Sequence, residues 1–152
     1  VQRFKQGFTI IPSASRIGAT QSPKLAFEIS EAIAKELRAC GINLNFAPVA
    51  DINTNTSNPV IGKLDRSFGT TEDLVTKMVS SFVRGHVVQG VQPCMKHFPG
   101  HGHSDVDSHF GLPRVATTLG EMRLREFRPF LRGVRSRGEM IMSGHIVFPA
   151  VD

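Results

Sequence analysis

The sequence has 152 residues, of which 40% are hydrophobic and 20% are charged. This balance is typical of a soluble globular protein, and the length suffices for one core of ordinary size. No apolar run approaches the roughly 18 residues of a membrane-spanning helix, and no signal peptide is recognisable at the start. The chain begins with Val1 rather than methionine and stops just after an expected strand, so we expect a segment of a longer protein.

The first expected helix has clear boundaries. Residues 1–21 are expected to form a loop, because glycine, proline and serine interrupt any hydrophobic period there. Ser22 can cap the helix that follows, and Pro23 suits its first turn. Gly41 can end the helix in the left-handed conformation.

Two further helices follow in the sequence. The second begins near Thr70 or Thr71, with acidic residues in its first turn, and ends at Gly90. The third begins with a capping box, Thr118-Leu-Gly-Glu121, and ends at Gly138. Pro129 should kink or restart that helix.

Three strands are expected between these helices, at 42–49, 91–98 and 139–147. The alternation predicts parallel strands with helical crossovers. Long loops follow the strand ends, as they do in barrel enzymes, and a full barrel needs roughly 250 residues. The sequence therefore predicts an α/β fold, a partial (β/α)8 TIM barrel with about three central β/α units. A doubly wound sheet is the alternative, although no Gly-x-Gly-x-x-Gly follows a strand.

The chain carries a net charge of +5, from 18 Lys and Arg against 13 Asp and Glu. Four arginines share one face of the third helix: Arg125, Arg128, Arg132 and Arg135. A solvated helix face explains them better than nucleic-acid binding. An apolar row on the same helix is expected in the core: Leu124, Phe127, Leu131 and Val134. Cys40 and Cys94 are too few for a disulfide framework and are expected to be buried free thiols.

Chemically versatile side chains gather in residues 95–113, which we call the His-rich loop. It holds Lys96, Asp105 and Asp107 together with four of the six histidines: His97, His101, His103 and His109. A Pro-Gly step at 99–100 ends the preceding strand. The loop therefore lies at the carboxyl end of a strand, where α/β folds bind their ligands. A second polar loop, rich in Asn, Thr and Ser, spans residues 51–69 and is called the Asn-rich loop.

Asp107 and His109 allow a catalytic interpretation. Residues two apart in an extended loop point the same way, so the carboxylate can orient the imidazole. The other ring nitrogen can then act as general acid and general base near neutral pH. A hydrogen bond that only stabilises the loop is the structural alternative.

A zinc site is a second interpretation. His101, His103 and Asp105 alternate along the loop, and His109 and His145 could add further ligands. The pattern resembles the His-x-His-x-Asp-His motif of metallo-β-lactamase-like hydrolases, but Val106 stands where that motif has its last histidine. Lys96 and His97 form a third element, because their nitrogens suit hydroxyl-rich or anionic ligands. A surface lysine is the structural alternative for Lys96.

Several motifs in order resemble one family. Lys96-His-Phe-Pro-Gly-His-Gly, followed after four residues by Asp107-Ser-His109, resembles the hallmark of bacterial glycoside hydrolase family 3 β-N-acetylglucosaminidases, the NagZ-like enzymes. Four further stretches are similar to family segments: Val1-Gln-Arg-Phe, Asn43-Leu-Asn-Phe-Ala-Pro-Val-Ala-Asp51, Arg66-Ser-Phe-Gly and Met142-Ser-Gly-His-Ile-Val-Phe-Pro. The resemblance extends over nearly the whole chain.

The resemblance implies a (β/α)8 barrel that hydrolyses terminal β-N-acetylglucosamine with retention. Many members act on muropeptide fragments during peptidoglycan recycling. The motif match makes His109 the acid/base and Asp107 its orienting partner, in place of the second carboxylic acid of most retaining glycosidases. It places sugar binding at four positions: Arg3, Arg66, Lys96 and His97. It implies a carbohydrate partner and no metal or organic cofactor; neither nucleic acid nor a membrane span is expected.

The family's nucleophile is an Asp in a Ser-Asp-Asp-Leu-like stretch that would lie beyond residue 152. Residues 1–152 are therefore expected to form one incomplete catalytic domain that is inactive alone. A bacterial cytoplasmic location is expected, but the longer 53–58 segment leaves a periplasmic or secreted one open. Another β-glycosidic specificity, a phosphate acceptor and a non-catalytic sugar-binding fragment are the functional alternatives. Phosphate is a possible acceptor of the sugar because a histidine acid/base does not repel an incoming anion as a carboxylate would.

Overall fold

The computed structural model describes residues 2–107 and 111–151. Five helices and three strands lie in this described part of the chain. The helices are α1 (Ala14–Ala19), α2 (Pro23–Ala39), α3 (Glu72–Val87), α4 (Leu119–Leu124) and α5 (Phe127–Arg135), and the strands are β1 (Leu44–Asn45), β2 (Gln92–Phe98) and β3 (Met140–Ser143). Within these ranges, no helix is long and apolar enough to cross a membrane.

The three strands form one parallel sheet in the order β1-β2-β3. Leu44 of β1 is in register with Gln92, and Cys94 of β2 is in register with Met140. An irregularity between Lys96 and Phe98 shifts the register near the end of β2. Because the strands run the same way, their carboxyl ends lie at one edge of the sheet, as the sequence predicts.

Local signals set the ends of the helices as expected. The Ser22 hydroxyl accepts a hydrogen bond from the backbone N–H of Leu25 at 3.2 Å and caps α2. Gly41, with a φ of 77°, follows the end of α2. Thr118 and Glu121 form the predicted capping box of α4. The predicted restart near Pro129 is confirmed, because α4 ends before it and Pro129 lies in the first turn of α5.

The core lies between the sheet and the two long helices. Val75, Met78 and Val79 of α3 are fully buried, as is Met95 of β2, and burying each such side chain contributes roughly 1.5–3 kcal/mol. Helices α2 and α3 approach closely at Gly85, where an added Cβ would lie 2.6 Å from the carbonyl oxygen of Phe27. This packing supports the sheet whose edge carries the candidate site.

One histidine is part of this core. The side chain of His86 is fully buried and stacks on Phe82, with ring centroids 4.8 Å apart. Its Nδ1 lies 2.6 Å from the hydroxyl of Ser30, and its Nε2 lies 2.8 Å from the amide nitrogen of Asn45. The Ser30 hydroxyl also donates to the carbonyl of Phe82. The network links α2, β1 and α3, and burial lowers the pKa of His86 to about 4.

Three sequence-based expectations are wrong. The predicted loop at 1–21 contains α1, in which Gly18 packs so closely that an added Cβ would lie 1.6 Å from the carbonyl oxygen of Phe68. Cys40 is exposed, whereas Cys94 is buried as predicted. The apolar row of the third predicted helix was expected in the core, but three of its side chains are exposed: Leu124, Leu131 and Val134.

The orientation of α5 explains that last error. The helix buries Pro129, Phe130 and Gly133. Gly133 faces β2 so closely that an added Cβ would lie 2.0 Å from the sulphur of Met95. This tertiary contact, rather than the apolar period alone, selects the buried face of α5.

Candidate active site

The carboxylate of Asp51 lies at the centre of the candidate site. Asp51 follows β1 and is fully buried. Its Oδ2 lies 2.7 Å from Nδ1 of His97, and its Oδ1 accepts a hydrogen bond from the backbone N–H of His101 at 2.7 Å. The backbone N–H of His97 also lies 3.2 and 3.3 Å from the two carboxylate oxygens. One carboxylate therefore holds both ends of the turn at 97–101.

His97 lies between Asp51 and Arg66. Nη2 of Arg66 is 3.3 Å from Nε2 of His97, and Nη1 donates to the carbonyl of Val60 at 3.0 Å. Burial lowers the pKa of the Arg66 guanidinium, while the negative charges of Asp51 and Asp107 act in the opposite direction. The guanidinium is thus held by the Asn-rich loop and directed at the imidazole.

Positive charge accumulates beside this imidazole. Burial and the nearby charge of Arg66 lower the pKa of Lys96, and the charge of Arg3 adds to this effect, whereas Cys94 and Asp51 oppose it. A cavity of about 360 Å³ is lined by Arg3, Arg66 and Lys96 together with the carboxylates of Glu36 and Asp65 and several apolar side chains. His97 is not among the lining residues. Its size lies within the range of small-molecule sites, and its cations suit hydroxyl-rich or anionic ligands.

The Asn-rich loop and the His-rich loop are joined by hydrogen bonds, which we call the loop clasp. The side-chain amide of Asn58 donates to the carbonyl of His101 at 2.7 Å. The backbone N–H of Asn55 donates to the carbonyl of Gly102 at 3.1 Å, and its side chain donates to Asp105 at 2.6 Å. The clasp fixes the loop that carries Arg66 against the loop that carries His97.

His103 belongs to a separate polar cluster at the other side of the His-rich loop. Its Nδ1 lies 2.9 Å from the hydroxyl of Thr54 and 3.4 Å from Oε1 of Glu126. The guanidinium of Arg125 donates to the same Oε1 at 2.6 Å. Burial alone would raise the pKa of Glu126, but hydrogen bonds from His103 and Arg125 outweigh it and lower that pKa. Arg125 is therefore engaged in this cluster rather than being part of a solvated helix face.

The three alternating residues of the zinc interpretation have different surroundings. His101 is buried, and neither of its ring nitrogens has a hydrogen-bond partner. His103 contacts Thr54 and Glu126, and Asp105 contacts Asn55. Over residues 2–107 and 111–151, no group of three or more His, Cys, Asp or Glu is placed to hold a metal ion. That the site needs no metal stays a prediction.

The four residues predicted to bind a sugar lie in one region. Arg66 and His97 are in contact, and Lys96 precedes His97. Arg3 is exposed, but its charge acts on Lys96. The assignment of these four residues to sugar binding stays a prediction.

The structure describes one residue of the predicted catalytic pair. Asp107 is described, and its charge acts on Arg66, whereas His109 lies outside the described residues. Sequence analysis did not single out Asp51. Its position directly after an expected strand, at the same sheet edge as Lys96, is the signal that could have identified it.

Comparison with known proteins decides the family. The model of the glycosyl hydrolase family 3 N-terminal domain matches residues 1–152. The chain belongs to glycosyl hydrolase family 3. Its α/β fold with a small parallel sheet is that of the family's N-terminal domain.

Three relatives show how much of a family 3 protein is present. Beta-hexosaminidase A of Pseudoalteromonas piscicida is 44% identical over 140 residues, which are 90% of this chain and 23% of that protein. A glycoside hydrolase family 3 beta-N-acetylglucosaminidase from Paenibacillus sp. str. FPU-7 superimposes with a TM-score of 0.94 at 42% identity, covering 99% of this chain and 28% of that one. NagZ from Neisseria gonorrhoeae, in complex with N-trifluoroacetyl-D-glucosamine, superimposes with a TM-score of 0.90 at 35% identity, covering 99% and 45%. The chain spans less than half of each relative.

Proposed function

We propose that the full-length protein with this sequence is a retaining glycoside hydrolase that removes terminal β-linked N-acetylglucosamine. The proposal is carried by the cluster of Arg66, Lys96 and His97 around the buried Asp51, in a family 3 chain. Relatives named beta-hexosaminidase and beta-N-acetylglucosaminidase support the sugar specificity. Muropeptide fragments of peptidoglycan are the substrate class that we propose, following the resemblance to NagZ-like enzymes.

The proposed chemistry assigns proton transfer to His109. Its imidazolium protonates the glycosidic oxygen as the aglycone leaves, and the neutral ring then takes a proton from the attacking water. Asp107 orients the ring and stabilises its charged form. A carboxylate elsewhere in the full-length protein attacks the anomeric carbon and forms a glycosyl-enzyme, which the water hydrolyses with net retention.

We further propose that the three strands are the central part of a (β/α)8 barrel. They are parallel and adjacent in sequence order. A doubly wound sheet reverses its strand order at a switch point, and β1-β2-β3 has no such reversal. Within the described residues, β1 and β3 each pair with β2 alone, which leaves an outer edge on each for further strands.

The proposed catalytic dyad, His109 and Asp107, is tested in the full-length protein by measuring how the turnover of each variant depends on the leaving group of the substrate. His109→Ala should lower turnover of a substrate with a poor leaving group by roughly 10²–10⁴-fold, the range typical of general acid–base catalysis. Glycosylation with an activated aryl leaving group needs less protonation and should suffer less. Asp107→Ala should act in the same direction but more mildly. Unchanged kinetics in both variants would remove the dyad from the mechanism.

The reaction itself is tested by product analysis. An aryl β-N-acetylglucosaminide should be cleaved faster than the matching β-glucoside, and NMR should show the β-anomer of the free sugar as first product. Added phosphate should not divert the product to a sugar phosphate, and exhaustive chelation should leave the rate unchanged. A sugar phosphate product would favour the phosphorylase alternative, and no cleavage of any β-glycoside would favour a binding function.

A further inference from the structure

The hydrogen-bond donors around Asp51 restrict the protonation of His97. An ionised carboxylate only accepts hydrogen bonds, and Oδ2 of Asp51 lies 2.7 Å from Nδ1 of His97. Nδ1 therefore carries a proton. On the other side of the ring, Nε2 lies 3.3 Å from Nη2 of Arg66, and a guanidinium only donates. Nε2 therefore presents a lone pair, and the two neighbours independently favour the same tautomer.

We propose that Asp51 is a positioning residue that fixes His97 as the Nδ1–H tautomer, so that Nε2 can accept a hydrogen bond from a substrate hydroxyl that takes the place of Nη2 of Arg66. The inference rests on the proposed function for the identity of the substrate. The inference adds to the proposed function the direction of one hydrogen bond, in which the substrate hydroxyl donates and Nε2 of His97 accepts. Arg66 and Lys96, beside this imidazole, can only donate.

The consequence is that a hydrogen-bond acceptor, Nε2 of His97, lies beside the hydrogen-bond donors of Arg66. A sugar hydroxyl can donate one hydrogen bond and accept two. It can donate to Nε2 of His97 while accepting from Arg66 or Lys96. A fluorine at the same carbon can accept from the guanidinium but has no proton to give, so it cannot replace the hydrogen bond that Arg66 donates to Nε2. The site thus selects for a hydroxyl rather than for any electronegative substituent.

The burial of Asp51 makes it suited to this role. The residue is fully buried, and its carboxylate accepts hydrogen bonds from the ring and backbone of His97 and from the backbone of His101. Asp51→Asn keeps the shape and can keep one oxygen for the backbone N–H of His101. Its amide nitrogen would face Nδ1 of His97 as a donor and favour a proton on Nε2, whereas Nη2 of Arg66 still favours a lone pair there. The variant therefore no longer fixes one tautomer.

The test uses the full-length protein at pH 7.5 with ¹⁵N-labelled histidine. NMR nitrogen shifts identify the tautomer, and His97→Gln assigns the His97 signals by difference. The wild type should show Nδ1 protonated and Nε2 unprotonated, and Asp51→Asn should lose this preference, with part of the population protonated on Nε2. The matched control is Ser67→Ala, which removes the hydroxyl that donates to the backbone carbonyl of Asp51 at 2.6 Å but leaves the carboxylate intact. The control should keep the wild-type tautomer.

Kinetics with aryl β-N-acetylglucosaminides provide the second readout. Asp51→Asn should raise KM by roughly 10–100-fold, the cost of an unmatched buried hydrogen bond, with a smaller change in kcat. Among substrates fluorinated at the 3-, 4- or 6-position, one should be discriminated against by the wild type, and Asp51→Asn should reduce that discrimination. In a His97→Gln background, Asp51→Asn should not alter the discrimination further.

The outcomes separate the two proposals. A wild-type His97 that carries a proton on Nε2 overturns the positioning role, even if Asp51→Asn fails to fold. Equal fluorine discrimination in wild type and Asp51→Asn also overturns it. If the tautomer is as proposed but no β-glycoside is cleaved, the proposed function fails and the tautomer assignment stands.

Discussion

At the scale of single residues, His86 makes folding stability depend on pH although it lies outside the candidate site. Its pKa is lowered by burial from 6.5 to about 4. Between these values the unfolded chain binds a proton that the folded chain excludes, so stability rises with pH. The contribution is complete above pH 6.5 and is lost as the pH falls towards 4. The shift corresponds to about 3 kcal/mol, at 1.36 kcal/mol per pKa unit.

We therefore predict that His86→Gln loses more stability at neutral than at acidic pH. In urea unfolding of the full-length protein, the gap between wild type and variant should shrink by roughly 2 kcal/mol from pH 7.5 to pH 5. A gap that stays constant with pH would mean that folding does not lower the pKa of His86.

At the scale of elements, the His-rich loop is fixed by close backbone approach. A Cβ added to Gly102 would lie 1.7 Å from the carbonyl oxygen of Ile52, in the Asn-rich loop. We predict that Gly102→Ala destabilises the protein by roughly 1–3 kcal/mol, the usual cost of overpacking. Because the loops would have to separate near Arg66 and His97, KM should rise as well. Thermal unfolding and steady-state kinetics measure the two effects.

Gly120 in α4 provides the control for this prediction. A Cβ there would have only the Thr118 hydroxyl within 4 Å, at 3.9 Å. Gly120→Ala should leave KM unchanged and stabilise α4 slightly, by up to roughly 1 kcal/mol. If both variants change KM equally, the loop contact at Gly102 does not position the site.

Elements whose ends depend on local chemistry were predictable from sequence. Ser22, Pro23 and Gly41 mark α2 because capping and left-handed backbone need only neighbouring residues. Helix α1 was not predictable, since Gly18 suggests a loop until its contact with Phe68 is known. The buried face of α5 was mispredicted for a similar reason, because it is selected by Met95 on a distant strand.

At the site, the same distinction holds. Lys96 and His97 could be singled out because they lie together at a strand end in one short motif. The role of Asp51 could not, because it depends on hydrogen bonds to residues 46 and 50 positions away in sequence. Sequence patterns identify which groups reach the sheet edge, but the direction of a hydrogen bond there requires the positions of both partners.

At the scale of the whole molecule, exposed apolar side chains in α4, α5 and β3 indicate how the chain depends on its surroundings. Leu124, Leu131 and Ile141 are 75%, 54% and 42% exposed. Unpaired edges with adjacent apolar surface favour aggregation. We predict that the 152-residue chain alone gives a broad, weak thermal transition and no turnover of an aryl β-N-acetylglucosaminide. The full-length protein should melt cooperatively and be active.

The matched control is the same chain with Leu131→Lys, which reduces the exposed apolar surface without touching the candidate site. It should aggregate less but remain inactive. A chain that melts cooperatively and turns over at a rate near that of the full-length protein would place the nucleophile within residues 1–152, against the proposal.

The loop clasp restricts how the sequence and the length of the two loops can change in evolution or by design. Asn58 and the backbone of Asn55 bind main-chain carbonyls, those of His101 and Gly102, rather than side chains. Most substitutions in the His-rich loop would leave these carbonyls in place, whereas an insertion or deletion in either loop would shift them. The two loops can therefore vary in composition separately, but they should change length, or be grafted into another barrel, only as a pair.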